Sequence, residues 1–335
     1  MGERKQPSFG VNFFAGGAAG TIGAVVTCPL EVVKTRLQSS LYRANEVGLN
    51  TKNPLKLMFN HVNGVITILR DIRRVEGIRA LWKGLTPNLI GIIPARSIHF
   101  GVYTQGKHYY SLLNNGVEDS YVHLISAGTA SIATAVVTNP IWLIKTRMQL
   151  QSEEVAKRAV LPKYKNSFHC LTSVLKTEGL PGLYRGFSAS MLGLVETAAQ
   201  FAMYESFKKS LLNYRQKIAD KSHPDGQAPK LTQLCKIEVK LILAWYDTTL
   251  ASSSAKLIAA IATYPHEVLR TRLRQTPENG VRKYTGLWQS ASLIYKQEGM
   301  AALYGGMTAH LMRVVPNAAI LFVSFEFLSS FFNKL

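Results

Sequence analysis

The chain has 335 residues, is 47% hydrophobic and only 18% charged, and carries a net charge of +19. Its charged fraction lies below the roughly 25% of soluble domains. Ser8–Leu30 and Ser120–Ile144 contain no Asp, Glu, Lys or Arg, and each is long enough to cross about 30 Å of hydrocarbon as a helix, which argues against a pair of ordinary soluble domains.

In chain order, the first helix is predicted from about Ser8 to Gln38, with Gly16, Gly20 and Gly23 at helical spacing, where a neighbouring backbone can approach closely. Pro29 lies inside it and should kink it. Residues 41–63 are polar, with Asn-Pro at 53–54, and read as a loop. Val65–Val75 has helical periodicity with Arg70, Arg73 and Arg74 on its polar side, the pattern of a short amphipathic surface helix. Gly77 is suited to end it. A second long helix follows, about Thr86–Leu112, with Arg96 as the charge in its apolar body.

The same parts then recur. A third helix is expected over about Tyr121–Leu150, a surface helix near Ser167–Lys176, and a fourth long helix over about Phe187–Asn213 with Glu196 inside. Lys217–Lys230 reads as a charged linker. A fifth helix, about Val239–Arg274, contains Asp247 and Lys256. A third surface helix lies near Leu287–Lys296, and a sixth long helix, about Thr308–Phe332, carries Arg313 before Pro316.

One motif recurs in all three parts. Pro29-Leu-Glu31-Val-Val-Lys34-Thr-Arg36-Leu-Gln38 is followed by Pro140-Ile-Trp142-Leu-Ile-Lys145-Thr-Arg147-Met-Gln149 and Pro265-His-Glu267-Val-Leu-Arg270-Thr-Arg272-Leu-Arg274, at separations of 111 and 125 residues. Three Glu-Gly segments, at Glu76-Gly77, Glu178-Gly179 and Glu298-Gly299, recur in step with it. The chain therefore reads as three related units, residues 8–113, 120–213 and 238–333. In each motif acid and base stand three apart on one helix face. Three such faces meeting on an axis can close a passage with ion pairs. Lys34–Gly84, Lys145–Gly186 and Arg270–Gly306 hold 24 Lys/Arg against 8 Asp/Glu. Six spans would put all three on one side of a membrane, as the positive-inside rule describes. A nucleic-acid groove would instead need one basic stripe with interleaved aromatics. Cys28, Cys170 and Cys235, odd in number and unrelated in spacing, make neither a disulfide framework nor a zinc site. No short apolar region with a cleavage site precedes the first span, so any organelle address is expected to be internal.

These repeats resemble the mitochondrial carrier family over essentially the whole chain. The resemblance implies an all-α membrane protein: six tilted transmembrane helices in three pseudo-symmetric repeats, each with a short matrix surface helix. It also implies the inner mitochondrial membrane, both termini toward the intermembrane space, function as a monomer among anionic lipids such as cardiolipin, and neither cofactor nor nucleic acid. Carried over residue by residue, the matrix gate pairs Glu31 with Lys145 and Glu267 with Lys34, with Gln38 and Gln149 as braces. Trp142 replaces the third acid, so Arg270 loses that partner. Trp142 can pack on Arg270, Arg270 can be left to attract a phosphate, and both can hold in different gate states. Arg274 departs from the brace pattern. The cytoplasmic pattern is complete at Tyr204-Glu205-Ser-Phe-Lys208. It lacks the acid at Thr104 and the base at Ser329, leaving Lys107–Glu205 and Lys208–Glu326.

The solute would be chosen in mid-cavity, where Arg96, His99, Gly193, Glu196, Lys256, Arg313 and Asn317 are the candidates. Arginine inside a membrane is functional by default, and its fork suits phosphate oxygens. Arg313 could instead pair with Glu196, Lys256 could snorkel between helices, and His99 could be a structural, hydrogen-bonded residue. The wording Cys-Pro-Leu-Glu-Val-Val-Lys-Thr-Arg from Cys28 and Tyr-Pro-His-Glu-Val-Leu-Arg-Thr-Arg-Leu-Arg from Tyr264 is similar to the pyrimidine nucleotide carriers of the family. The expected function is exchange of UTP, CTP, TTP and related species without covalent chemistry. The alternatives are a carrier for NAD, flavin or folate, and a scaffold that transports nothing.

Overall fold

The computed structural model of the protein describes residues 9–42, 54–152, 164–222, 252–278 and 280–332. Its helices are α1 (Phe9–Gln38), α2 (Pro54–Val75), α3 (Leu85–Leu113), α4 (Ser120–Leu150), α5 (Ser167–Leu183), α6 (Phe187–Ser222), α7 (252–263), α8 (Pro265–Arg274), α9 (Leu287–Glu298) and α10 (Met307–Phe332). The described residues fall into two compact units, one up to Ser190 and from Glu267 onward, the other from Met191 to His266.

In the first unit α1 packs along α10 and α3 along α4, and α2 and α5 lie against the C-terminal halves of α1 and α4. The amphipathic pattern explains the α2 contact. Val65 and Ile72 are buried with Cys28, Val32 and Val33, while Arg70, Arg73 and Arg74 stay exposed. Around α5, Cys170, Val174 and Leu183 are buried with Leu143 and Ile144 in the same way. Burying one such aliphatic side chain stabilises by about 1.5–3 kcal/mol.

Residues 54–63, read as loop, are helical: α2 begins at Pro54. Proline at a helix start lacks an N–H that would have had no partner there, and its fixed φ suits the first turn. Pro29, Pro94, Pro140 and Pro316 lie within continuous helices. At Pro265 the helix breaks, and the Tyr264 amide donates to Ile261 in a tighter three-residue turn. Asp247 and most of the 217–230 linker lie outside the described residues. The small-residue stripe of α1 makes one close approach: a Cβ at Gly23 would meet Asn317 Oδ1 at 3.0 Å, whereas one at Gly20 would meet nothing within 4 Å.

Glycine is required twice in each repeated segment. Gly77, Gly179 and Gly299 turn the chain with φ of 83°, 68° and 77°, and Gly84, Gly186 and Gly306 open the long helices with φ of 82°, 73° and 78°. L side chains are strained in this region. Among the described residues one helix, Tyr121–Leu150, is both long and apolar enough to cross a membrane. Large apolar side chains are nonetheless exposed on several long helices, among them Ile90, Ile93, Phe100, Leu124, Val137 and Val323, a surface suited to lipid or a partner rather than water.

Candidate functional site

The C-terminal parts of α1 and α4 and the short helix α8 meet at the floor of a cavity of about 410 Å³. Lys145 Nζ on α4 lies 2.7 Å from Glu31 Oε1 on α1, and Lys34 Nζ on α1 lies 2.7 Å from Glu267 Oε2 on α8. Each pair joins two helices far apart in sequence. Asn88 Oδ1 on α3 accepts a second bond from Lys145 at 2.8 Å. These side chains are 8–15% exposed, so their charges are compensated by direct contacts rather than by water.

The third side of the triangle is not ionic. Arg270 Nη2 donates to Glu267 Oε1 at 2.5 Å within its own helix, so Glu267 serves both Lys34 and Arg270. Arg270 is thus paired, contrary to the expectation from the missing acid. Trp142 does not take the guanidinium as its partner. Its indole N–H donates to Thr138 Oγ1 at 2.9 Å, and the Lys145 ammonium lies 5.1 Å from its ring centroid, within cation–π range.

Beneath the pairs lies a second layer that repeats three times. Arg36 binds Glu76 at 2.5 and 2.9 Å, and its Nε donates to the carbonyl of Gln149 at 3.2 Å. Arg147 binds Glu178 at 2.6 and 3.0 Å and donates to the carbonyl of Arg274 at 3.1 Å. Arg272 binds Glu298 at 2.9 and 2.6 Å and donates to the carbonyl of Gln38 at 2.6 Å. The three arginines are 1–2% exposed. Each clamps its own Glu-Gly segment and reaches the next motif, so the circuit α1 to α4 to α8 to α1 closes. The two-pronged geometry is one only a guanidinium provides. Gln38 and Gln149 add Thr271 Oγ1 to Gln38 Oε1 at 2.7 Å and Thr35 Oγ1 to Gln149 Oε1 at 2.8 Å.

The family model for the mitochondrial carrier protein matches this chain three times, over residues 5–113, 117–215 and 243–335. The chain belongs to the mitochondrial carrier family. It is a carrier of a mitochondrial membrane, and its three matches coincide with the three clamped motifs. It is 44% identical to the mitochondrial pyrimidine nucleotide transporter RIM2 of Saccharomyces cerevisiae, over 94% of this chain and 84% of the relative. It is 43% identical to the mitochondrial carrier protein rim2 of Schizosaccharomyces pombe, over 98% and 91%. Solute carrier family 25 member 36 of Mus musculus is 42% identical, over 94% and 95%.

The remaining site residues of this carrier are dispersed. His99 lines the cavity; Arg96 is exposed, and Asn317 Oδ1 lies 3.5 Å from Thr27 Oγ1. Arg313, for which Glu196 was an alternative partner, binds Glu31 Oε1 at 3.0 Å. In the second unit Glu196 lies 3.6 Å from His266 Nε2, beside Gly193, and Lys256 is exposed. Lys107, expected to meet Glu205, binds Glu118 just beyond its own helix at 2.7 Å. The half-buried lysine takes an acid close in sequence, at little cost in chain entropy. The side chains of Lys208 and Glu326 lie outside the described residues.

Sequence reasoning missed the clamps, Asn88, and the bond from Arg313 to Glu31. The clamps had a signal: a second base and a Glu-Gly glutamate recur in every repeat, 40, 31 and 26 residues apart. Asn88 and the Arg313 contact had none, because they depend on how helices face one another. Electrostatics of the outer layer follow from contact. Burial would raise the Glu76 carboxyl, but hydrogen bonds and charge from Arg36 and Lys83 hold it below its ordinary value. The Cys170 thiol is pushed up to about 12, chiefly by burial.

Proposed function

We propose that this carrier exchanges pyrimidine nucleoside phosphates across the inner mitochondrial membrane by alternating access. Six spans in three repeats, residues 8–113, 120–213 and 238–333, would surround a wet axis, with both termini toward the intermembrane space and anionic lipid such as cardiolipin around a monomer. The observation that carries the transport reading is the latch itself: two ion pairs, Glu31 with Lys145 and Lys34 with Glu267, close the floor of a cavity whose lining is richer in cations than acids. The pyrimidine assignment is supported by the relative named as a pyrimidine nucleotide transporter, at 44% identity.

In this reading the latched pairs and Gln38, Gln149, Trp142 and Arg270 form the matrix gate. Lys107, Glu205, Lys208 and Glu326 form the opposite gate in another state of the cycle. Arg96, His99, Gly193, Glu196, Lys256, Arg313 and Asn317 would contact the solute along the way. A nucleotide drives the change only by binding the intermediate state better than the latched one, its contacts offsetting the broken ion pairs. With two ionic sides instead of three, the latch costs less to open.

The test is exchange in proteoliposomes loaded with CTP. Uptake of UTP, CTP and TTP with no uptake of NAD, flavin or folate is expected, and it should be lost in Glu31→Ala and Lys145→Ala. NAD uptake without UTP uptake, or unchanged exchange in both variants, overturns the assignment.

A further inference from the structure

Arg274 occupies the position that Gln38 and Gln149 hold in the other two repeats. There each glutamine carbonyl accepts from a threonine of a neighbouring motif, Thr271 and Thr35 respectively. An arginine has no acceptor to offer, and the third threonine, Thr146, donates to the Trp142 carbonyl in its own helix. The substitution thus replaces the threonine–glutamine bond with donor bonds from a buried charge to other helices.

That charge has no direct carboxylate partner among the described residues. Arg274 is 6% exposed, its Nη2 donates to two neutral acceptors, Asn139 Oδ1 at 2.8 Å and Ser190 Oγ at 3.0 Å, and its Nε–H has no protein acceptor. Among the described residues no carboxylate lies within ion-pair distance of it. Both acids lining the cavity are already engaged, Glu31 by Lys145 and Arg313, Glu267 by Lys34 and Arg270. A second donor on the same cavity, Gln149 Nε2, is also buried without an acceptor. Two orphaned donors and a guanidinium without a carboxylate partner on one cavity define a place for anionic oxygen.

We propose that Arg274, with Gln149 on the same cavity lining, is a specificity-determining subsite for the distal phosphates of the transported nucleotide, favouring tri- over monophosphates. This rests on the nucleotide reading above and adds to it which end of the solute is read at the cavity floor.

The test uses Arg274→Gln, which installs the residue the other two repeats carry, and Arg274→Lys, which keeps the charge without the fork. Purified full-length carrier is melted with inorganic tripolyphosphate or orthophosphate, and proteoliposome KM is measured for UTP and UMP. Tripolyphosphate should raise the melting temperature of the native carrier but not of Arg274→Gln. The KM for UTP should rise about tenfold in Arg274→Gln, the loss of one charge-assisted contact, against a clearly smaller rise for UMP, with Arg274→Lys between. A loss of stability that affects UTP and UMP alike, or a tripolyphosphate shift that persists in Arg274→Gln, overturns the subsite. Native carrier that responds to tripolyphosphate through Arg274 yet exchanges no pyrimidine nucleotide would overturn the substrate reading and leave the subsite standing.

Discussion

A single oxygen of Glu31 accepts both Lys145 Nζ at 2.7 Å and Arg313 Nη1 at 3.0 Å. The carboxylate that closes the cavity floor is therefore also held by the last long helix, α10, and anything that draws Arg313 away loosens the latch.

Glu31→Gln leaves two cations facing a neutral amide in a buried setting. Breaking one partner of a buried pair costs about 3–5 kcal/mol, so the melting temperature should fall and exchange should be nearly lost. The double variant Glu31→Lys with Lys145→Glu should recover part of both, measured by thermal denaturation and proteoliposome uptake. No recovery would mean that the pair does not act as a latch.

Acid should weaken the outer clamp. The Glu76 carboxyl is held below its ordinary value of 4.5 by bonds from Arg36 and Lys83 that outweigh burial. A depressed carboxyl stabilises the folded state above the unfolded value and loses that contribution as pH falls through the folded one. Melting temperature should therefore decline from about pH 5 downward, and Glu76→Gln should lower it at pH 7 and flatten the decline. An unchanged profile in the variant would remove Glu76 from the account.

Cys170 should resist alkylation. With its thiol pushed up to about 12 and its side chain buried, almost no thiolate is present at pH 8. In a carrier with Cys28 and Cys235 replaced by Ser, a maleimide should label Cys170 only after denaturation. Rapid native labelling would show that α5 leaves its place.

Gly306 should be irreplaceable and Gly20 dispensable. At Gly306 φ is 78° and a Cβ would lie 2.9 Å from the Lys34 carbonyl, whereas at Gly20 it meets nothing within 4 Å. Gly306→Ala should cost at least ~1–2 kcal/mol from the left-handed backbone alone, seen as a lower melting temperature and reduced exchange, while Gly20→Ala should change neither.

The latch was legible before any coordinates because its parts are local and repeated. Glu31 and Lys34 share a helix face by spacing alone, and three copies mean that each face has counterparts to meet. The long helices were legible to within a few residues at most of their ends, since apolar runs and glycine punctuation are properties of the chain itself. The start of α2 was not, because Asn-Pro signals a turn and a helix beginning equally well. The partner of Arg270 was missed for a related reason: a missing acid at Trp142 was read as a vacant pairing, but Glu267 has two oxygens and turned one of them to its own helix.

The sequence by itself determined that three related units carry charged motifs at the ends of apolar helices, and those motifs carry the resemblance to the mitochondrial carrier family that the family model bears out. Periodicity, composition and repetition are written along the chain and need no third dimension. Only the tertiary structure decided that Arg36, Arg147 and Arg272 hold Glu76, Glu178 and Glu298 and close a circuit through the carbonyls of Gln149, Arg274 and Gln38, that Glu31 answers to Arg313, and that Arg274 is buried beside neutral acceptors. Those contacts join residues 26 to 282 positions apart, and which side chains meet across such distances depends on how helices rotate against one another, to which no local pattern is sensitive.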